Sequence, residues 1–291
     1  KVGIGGGSLA EATSLTGLFI DTGPVVQVKD AFGKIEVEAD TDAGVAYAGA
    51  LAVVVDRDSA SASEIFAAAI QDHGRGLIIG EPTFGKGTVQ TLIDLNRYVP
   101  GEHTDLGRLR LTMAEFFRIN GGSTQLHGVT PDIQFPSASN PNEHGERSLH
   151  HALPWTQIKP ADYRASKLTN LDQLRRQSAE RIAQDSGFKM LTERSKMLRD
   201  IDTETEVSLR ESERRAENQR REQAFKADQD RYLRARGITP VDEDAEQIDE
   251  DAVEAQHKAI ARIEIEEAAR IVIDSLLLQR GMQPLPQAVM R

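Results

Sequence analysis

Two short aliphatic runs on either side of a segment of small residues limit the fold more than any other feature of this sequence. Residues 51–55 (Leu-Ala-Val-Val-Val) and 77–79 (Leu-Ile-Ile) are continuous and apolar, as in strands that are buried on both faces. Between them, residues 64–71 (Glu-Ile-Phe-Ala-Ala-Ala-Ile-Gln) predict a tightly packed helix. Buried strands that alternate with helices predict an α/β core built in layers.

Helix and strand patterns continue on both sides of this core. Ser8 and Glu11 have the spacing of a capping box, which opens a helix that continues to Ile20. Alternation of apolar and polar residues predicts a hairpin and further strands. These lie at residues 24–30 and 34–39, then 88–95, 109–119 and 129–135.

The composition changes near residue 137. Residues 1–136 hold 19 of the 23 glycines and 27 charged side chains, whereas residues 137–291 hold four glycines and 54 charged side chains. The change predicts a turn-rich α/β core over 1–136 and a charged α-helical C-terminal domain over 137–291. Apolar residues at helical spacing predict helices at 168–182, 207–235 and 252–279, with a linker at 137–145 and a solvated acidic segment at 241–252.

Charge and composition exclude several classes of function. The net charge is −11, and no basic cluster interrupts it, so we expect no nucleic-acid partner. The longest apolar runs, such as residues 271–278, are far below the ~20 residues that a membrane-spanning helix needs, so we expect no membrane insertion. The absence of cysteine excludes disulfides, thiolate metal sites and a cysteine nucleophile, and it fits an oxidising compartment.

The first candidate site holds three serines at alternate positions, Ser59, Ser61 and Ser63. It lies between the first apolar run and the predicted helix. A nucleophilic serine at such a turn projects from the edge of the sheet, where the helix N-terminus favours negative charge. Ser61 and Glu64 also form a capping-box pattern, in which the serine would only close the helix. The residues alone leave both interpretations open.

The second candidate site is a glycine-rich loop after the second apolar run, residues 80–90 (Gly-Glu-Pro-Thr-Phe-Gly-Lys-Gly-Thr-Val-Gln). It resembles a phosphate-binding loop as far as Lys86. However, Gly87 occupies the position where Ser or Thr should bind the metal, and a strand pattern follows where a helix should begin. The acidic strand that ends at Asp56 also precedes the loop. These departures disfavour a nucleotide site.

A second interpretation makes Lys86 a general base. A lysine can accept a proton only if desolvation and an absence of nearby carboxylates lower its pKa. The sequence neighbours of Lys86, from Phe84 to Val89, carry no charge. A neutral amine within hydrogen-bond reach of a serine hydroxyl can activate it without a histidine. A surface lysine in a turn is the alternative that the sequence cannot reject.

Together these segments resemble the C-terminal processing peptidases, also called tail-specific proteases. The matching stretches are residues 55–74, 80–90, 117–125 and 128–132. The resemblance covers residues 5–136 and continues into the helical tail, where residues 151–155 are similar to the periplasmic branch of Gram-negative bacteria. It implies a partial, crotonase-like protease core and a periplasmic location.

The resemblance also implies roles for individual residues. Ser61 corresponds to the nucleophile, Lys86 to the base and Gln90 to the residue that orients the lysine. The N–H groups of Ala62 and of a glycine among residues 5–7, chosen as Gly7, correspond to the oxyanion hole. Beyond these, Asp72 falls on an acidic position that we interpret as structural, and His73 is interpreted as a helix-end residue. The resemblance implies no metal and no cofactor.

The family would make this chain part of a serine endopeptidase that selects proteins with apolar C-terminal tails. An adaptor protein or self-association through the helical domain is a further expected partner. Residues 1–4 depart from the family's motif, and the PDZ domain and core strands expected before this point are absent, so we expect a fragment with weak activity or none. A non-catalytic interaction or scaffold protein that keeps the fold is the alternative.

Overall fold

The computed structural model describes residues 1, 6–98, 105–137, 144–241 and 249–282. Within these residues the helices are α1 (Leu9–Gly17), α2 (Ala62–Asp72), α3 (Leu171–Gln184), α4 (Ser186–Asp202), α5 (Glu211–Ala235) and α6 (Glu250–Gln279). The strands are β1 (Gly23–Asp30), β2 (Ile35–Asp40), β3 (Ala52–Val55), β4 (Leu77–Gly80), β5 (Thr88–Asp94), β6 (Arg108–Phe117) and β7 (Ile133–Gln134). The predicted class, an α/β part followed by an α-helical part, is confirmed.

The described strands form two sheets. The larger has the order β2-β1-β6-β5 with antiparallel neighbours, and its first pair is the predicted hairpin. The smaller has the order β3-β4-β7, with β4 and β7 parallel. β5 is therefore an edge strand of the larger sheet, and several of its residues line the site described below.

Helix α2 packs against apolar residues on both of its sides, which explains its run of alanines. On one side Ala62, Ile65 and Ala69 pack with residues of α1, β1 and β6. On the other side Phe66, Ala67 and Ile70 pack with residues of β3 and β4. Small side chains let both layers approach the helix closely, and residues 62–70 are all buried. The helix is thereby fixed at its N-terminal end, where Ser61 lies.

Several element limits differ from those predicted. The helix opened by Ser8 ends at Gly17 rather than Ile20, because glycine is a poor helix former. The strand predicted over 129–135 contracts to the two residues of β7. Helix α4 is absent from the prediction, although Asp185 caps it by accepting hydrogen bonds from the N–H groups of Gly187 and Phe188.

The chain divides into two compact units, one of residues 1–78, 82–132 and 141–168, the other of 79–81, 133–140 and 169–291. In the second unit Arg181 of α3 pairs with Glu267 and Asp274 of α6, whose carboxylates are almost fully buried. The predicted boundary at residue 137 stays a prediction, because most of the linker, like most of the acidic segment at 241–252, lies outside the described residues. None of the described helices is long and apolar enough to cross a membrane.

Candidate active site

A cavity of about 460 Å³ lies in the first unit between the N-terminus of α2 and the edge strand β5. The five residues to which the resemblance gives a role in the reaction all line it: Gly7, Ser61, Ala62, Lys86 and Gln90. The remaining lining residues are Leu9, Ile65, Thr88, Val89, Thr91, Leu92, Arg110 and Phe116. None of the described lining residues is acidic. The two candidate segments therefore meet, and the charges at their meeting point are positive.

Ser61 occupies the turn between β3 and α2 in a backbone conformation that side chains rarely adopt. Its φ is 55° and its ψ is −113°, and such a conformation costs on the order of 1–3 kcal/mol. Its neighbours are placed differently. Ser59 is fully buried and its hydroxyl donates to Asp56, while Ser63 is buried within the first turn of α2. Of the three serines, Ser61 alone lines the cavity.

The glycine loop at the start of the chain lies against this turn. A Cβ atom added to Gly6 would come within 3.4 Å of Ser61 Cβ and 3.9 Å of Ser61 Oγ, and one on Gly7 within 3.6 Å of Ala62 Cβ. Gly5, the first glycine of the predicted group, lies outside the described residues. Ala62 is the first residue of α2, where N–H groups have no acceptor within the helix. The two predicted oxyanion donors thus belong to adjacent segments.

The backbone of the lysine loop is held through four successive N–H groups. Phe84 donates to the Ser59 carbonyl oxygen at 3.0 Å. Gly85 and Lys86 donate to the Glu64 carboxylate at 2.7 and 3.0 Å. The next residue, Gly87, donates to Gln125 Oε1 at 2.8 Å. Because these four N–H groups are hydrogen-bonded, the backbone of the loop is already ordered. Placing the Lys86 side chain in the cavity therefore costs little further backbone entropy.

Both glycines beside the lysine are required by this geometry. Gly85 has a φ of 90°, in the region that favours glycine. A Cβ on Gly87 would lie 2.7 Å from both Gln125 N and Ser123 Oγ, closer than real carbon atoms approach. The glycine-rich sequence here serves close packing of the backbone. A phosphate loop is excluded, because strand β5 follows the lysine directly.

The Lys86 amine is half-buried and its Nζ donates to the Thr88 carbonyl oxygen at 3.1 Å. Burial lowers the pKa of Lys86, and the positive charge of Arg110 lowers it further; the carboxylates of Glu146 and Glu64 oppose the shift. A lowered pKa is the condition under which a lysine can act as a base. In the structure no hydrogen bond joins Nζ to Ser61 Oγ, and such bonds often form only when substrate is bound.

Gln90 lies in β5, four residues after the lysine, and lines the same cavity. Its side chain is exposed, and its amide nitrogen is 3.5 Å from Thr112 Oγ1 on the neighbouring strand β6. The contact described for the Gln90 side chain is to Thr112 and not to Lys86, so its predicted role in orienting the amine stays a prediction.

Asp72 lies at the opposite end of α2 from Ser61 and is not part of the cavity. Its carboxylate accepts hydrogen bonds from the Arg118 guanidinium and from Asn120 Nδ2, and its side chain is 6% exposed. The next residue, His73, is the C-cap of α2 and its Nε2 is 2.8 Å from the Pro24 carbonyl oxygen. Both residues join the end of the helix to its surroundings.

Sequence reasoning missed two residues that organise the site, Glu64 and Gln125. Both are fully buried. The sequence indicated Glu64 only as half of a capping box. Its bonds to residues 83, 85 and 86 cannot be predicted from the local sequence pattern. Gln125 ends one of the stretches that carry the family resemblance, but its spacing suggests no role. Among the described residues no group of His, Asp and Glu is arranged to hold a metal ion.

Two family models match successive parts of the chain. Residues 3–135 match peptidase family S41, and residues 139–276 match the C-terminal domain of tail specific protease. The two matches follow one another with three residues between them.

Several curated proteins are similar to this chain. A tail-specific protease of Haemophilus influenzae is 46% identical over 219 residues, which cover 74% of this chain and 32% of that protein. A carboxy-terminal-processing protease of Bartonella bacilliformis is 41% identical over 129 residues, 44% of this chain and 28% of that protein. Among solved structures, a photosystem II D1 C-terminal processing protease is 34% identical with a TM-score of 0.40, covering 45% of this chain and 32% of that one. The chain spans about a third of the length of these relatives, or less.

Proposed function

The chain belongs to peptidase family S41 through residues 3–135, and on that premise we propose that it carries the active site of a serine endopeptidase. In this proposal Ser61 is the nucleophile and Lys86 is the general base. The observation that supports it best is that Ser61 and Lys86 line one cavity while Ser59 and Ser63 are buried away from it.

The proposed reaction has two halves. Neutral Lys86 takes the hydroxyl proton as Ser61 Oγ bonds to the carbonyl carbon of the scissile peptide, and the ammonium then gives that proton to the leaving amine. The peptide C–N bond breaks, and an acyl-enzyme ester remains on Ser61. Water then attacks the ester, Lys86 again relays the proton, and the bond between Ser61 and the acyl group breaks.

The negative charge that develops on the carbonyl oxygen needs hydrogen-bond donors. We assign the N–H groups of Ala62 and Gly7 to this role. Their support is the adjacency of the two segments and the position of Ala62 at the start of α2, where the helix dipole favours an anion. Gln90 completes the proposal as the residue that orients the Lys86 amine.

For substrates we propose proteins with unstructured, apolar C-terminal tails, on the family resemblance alone. The apolar part of the cavity lining, with Leu9, Ile65, Leu92 and Phe116, is compatible with such chains. The periplasm as compartment rests on the same resemblance, and fractionation of cells that express the tagged protein tests it. An adaptor, or self-association through the helical domain, stays a prediction.

The test is covalent labelling of the full protein with a serine-reactive probe. The wild-type protein is expected to take one label, which peptide mapping assigns to Ser61, and Ser61→Ala to take none. The variants Ser59→Ala and Ser63→Ala are the matched controls and should keep the label at Ser61. Labelling that disappears in either control instead would identify a different nucleophile. A wild-type protein that takes no label and cleaves no peptide would favour a non-catalytic interaction protein.

A further inference from the structure

Glu64 is the third residue of α2 and is fully buried. Its Oε2 accepts a hydrogen bond from Ser61 N–H at 2.8 Å and another from Lys86 N–H at 3.0 Å. Its Oε1 accepts from the Thr83 hydroxyl at 2.6 Å and from Gly85 N–H at 2.7 Å. One carboxylate therefore joins the backbone of the nucleophile turn to the backbone of the lysine loop.

Helix capping does not account for this set of bonds. A capping box needs only one bond from the glutamate to the N-cap N–H, which here is the bond from Ser61. The other three donors belong to residues 83–86, in a segment that follows β4. The cap of α2 does not need these three bonds. The carboxylate therefore has a second role, which is to hold the lysine loop.

The polarity of the four partners requires a carboxylate. Three of them are backbone N–H groups, which can only donate. The fourth, Thr83 Oγ1, already accepts from Val129 N–H at 2.7 Å and therefore turns its own proton towards Glu64. A glutamine of the same shape would bring an NH₂ group against N–H donors. The site is built for four acceptor lone pairs and nothing else.

Ser61 and the lysine loop both depend on external support. Ser61 has a positive φ without being glycine, and such a conformation persists only where surrounding contacts hold it. Lys86 lies in a loop whose orientation is set by its N–H bonds. Since the same oxygen holds both residues, any movement of one segment is transmitted to the other.

We propose that Glu64 is a positioning residue that fixes Ser61 and Lys86 relative to each other, so that hydroxyl and amine come within reach when substrate binds. The inference rests on the proposed function, in which those two groups react. The inference goes beyond that function by naming the group that sets the geometry of Ser61 and Lys86.

The charge of Glu64 provides a signature that a purely structural role would lack. Its carboxylate raises the pKa of Lys86, against the effects of burial and of Arg110, and Glu146 acts in the same direction as Glu64. The charge of Glu64 therefore favours the protonated form of Lys86, which cannot act as a base. Removing its charge should lower the pKa of Lys86 while loss of positioning lowers the rate, and the two effects can be measured separately.

The experiment compares Glu64→Gln with the wild-type full protein, using a peptide with an apolar C-terminus and active sites counted by the serine probe. We expect kcat to fall about 100-fold, the effect of misplacing reacting groups by about 1 Å, with KM nearly unchanged. In the profile of kcat/KM against pH, activity rises as Lys86 loses its proton, and this rising limb should move to lower pH. Glu267→Gln is the matched control, because Glu267 is equally buried and hydrogen-bonded but lies in α6. It should lower thermal stability and leave kcat and the limb unchanged.

A wild-type kcat and an unmoved limb in Glu64→Gln would overturn the inference. If that variant does not fold, Thr83→Val decides. Its missing hydroxyl removes a bond that lowers the pKa of Glu64, which burial raises to about 7, so Glu64 carries less charge. Less charge on Glu64 lowers the pKa of Lys86, so kcat should fall and the limb should again move to lower pH. Wild-type values in Thr83→Val would then overturn the inference. A wild-type protein without cleavage or labelling overturns the proposed function and this inference together, whereas unaltered variants of an active protein overturn this inference alone.

Discussion

The Lys86 amine donates to the carbonyl oxygen of Thr88, two residues further along the chain, at 3.1 Å. A neutral primary amine has two N–H groups and one lone pair. When one N–H is engaged by Thr88 at the start of β5, the rotation of the amine is restricted and its lone pair is directed elsewhere in the cavity. In the proposed function, this bond would orient the lone pair of the base without a histidine.

Replacing Lys86 tests the base directly. Lys86→Ala should lower kcat/KM by about 10²–10⁴-fold, the usual contribution of a general base. Lys86→Arg should lower it as much, because a guanidinium stays protonated and has no lone pair to offer. Peptide cleavage measured at fixed active-site concentration checks both. Activity retained in the arginine variant would contradict the assignment.

The charges around Lys86 predict opposite shifts from two neutralising substitutions. Glu146 raises the pKa of Lys86 and Arg110 lowers it. A base must be neutral to act, so kcat/KM rises with pH through this pKa. Glu146→Gln should therefore move the rising limb to lower pH, and Arg110→Gln should move it to higher pH. Profiles of kcat/KM against pH for the pair check the signs, and shifts in the same direction would exclude Lys86 as the titrating group.

Gln90→Ala should reduce activity less than Lys86→Ala, because in the proposed function the glutamine orients the amine without reacting. A loss of about tenfold corresponds to about 1.4 kcal/mol, the size of one neutral hydrogen bond. Thr112→Val is the control, since it removes the hydroxyl near the Gln90 amide and leaves the glutamine in place. Steady-state kinetics of both variants is the measurement. A Gln90→Ala loss as large as that of Lys86→Ala would give the glutamine a more direct role.

Asp72 should matter for stability more than for chemistry. Asp72→Ala leaves the half-buried guanidinium of Arg118 without its partner, and breaking such a pair costs about 3 kcal/mol. Denaturant unfolding should show the loss, while the pH dependence of the remaining activity stays as in the wild type. Asp58→Ala is the control, because the Asp58 side chain is 63% exposed. A shifted pH profile in Asp72→Ala would connect it to the reaction.

Local patterns were sufficient for the elements that carry the candidate residues. The apolar run of β3, the alanine-rich helix α2 and the alternation in β5 each reflect periodicity within a few residues, which the chain expresses wherever it folds. They also put Ser61 at a strand-to-helix turn and Lys86 in a loop before a strand. Helix α4 escaped prediction because its start, with Ser186 and Gly187, consists of weak helix formers.

The sequence by itself determined the fold class and the two segments of the candidate site. Only the tertiary structure decided which serine lines the cavity and what holds the lysine loop. Without the family resemblance, three serines at alternate positions look equivalent in the sequence, but the tertiary structure buries Ser59 and Ser63. From the sequence, Glu64 is only a helix cap; in the structure, the N–H groups of residues 21 and 22 positions later in the chain donate to the same carboxylate. Contacts between distant segments depend on how the layers stack, and no local pattern encodes them.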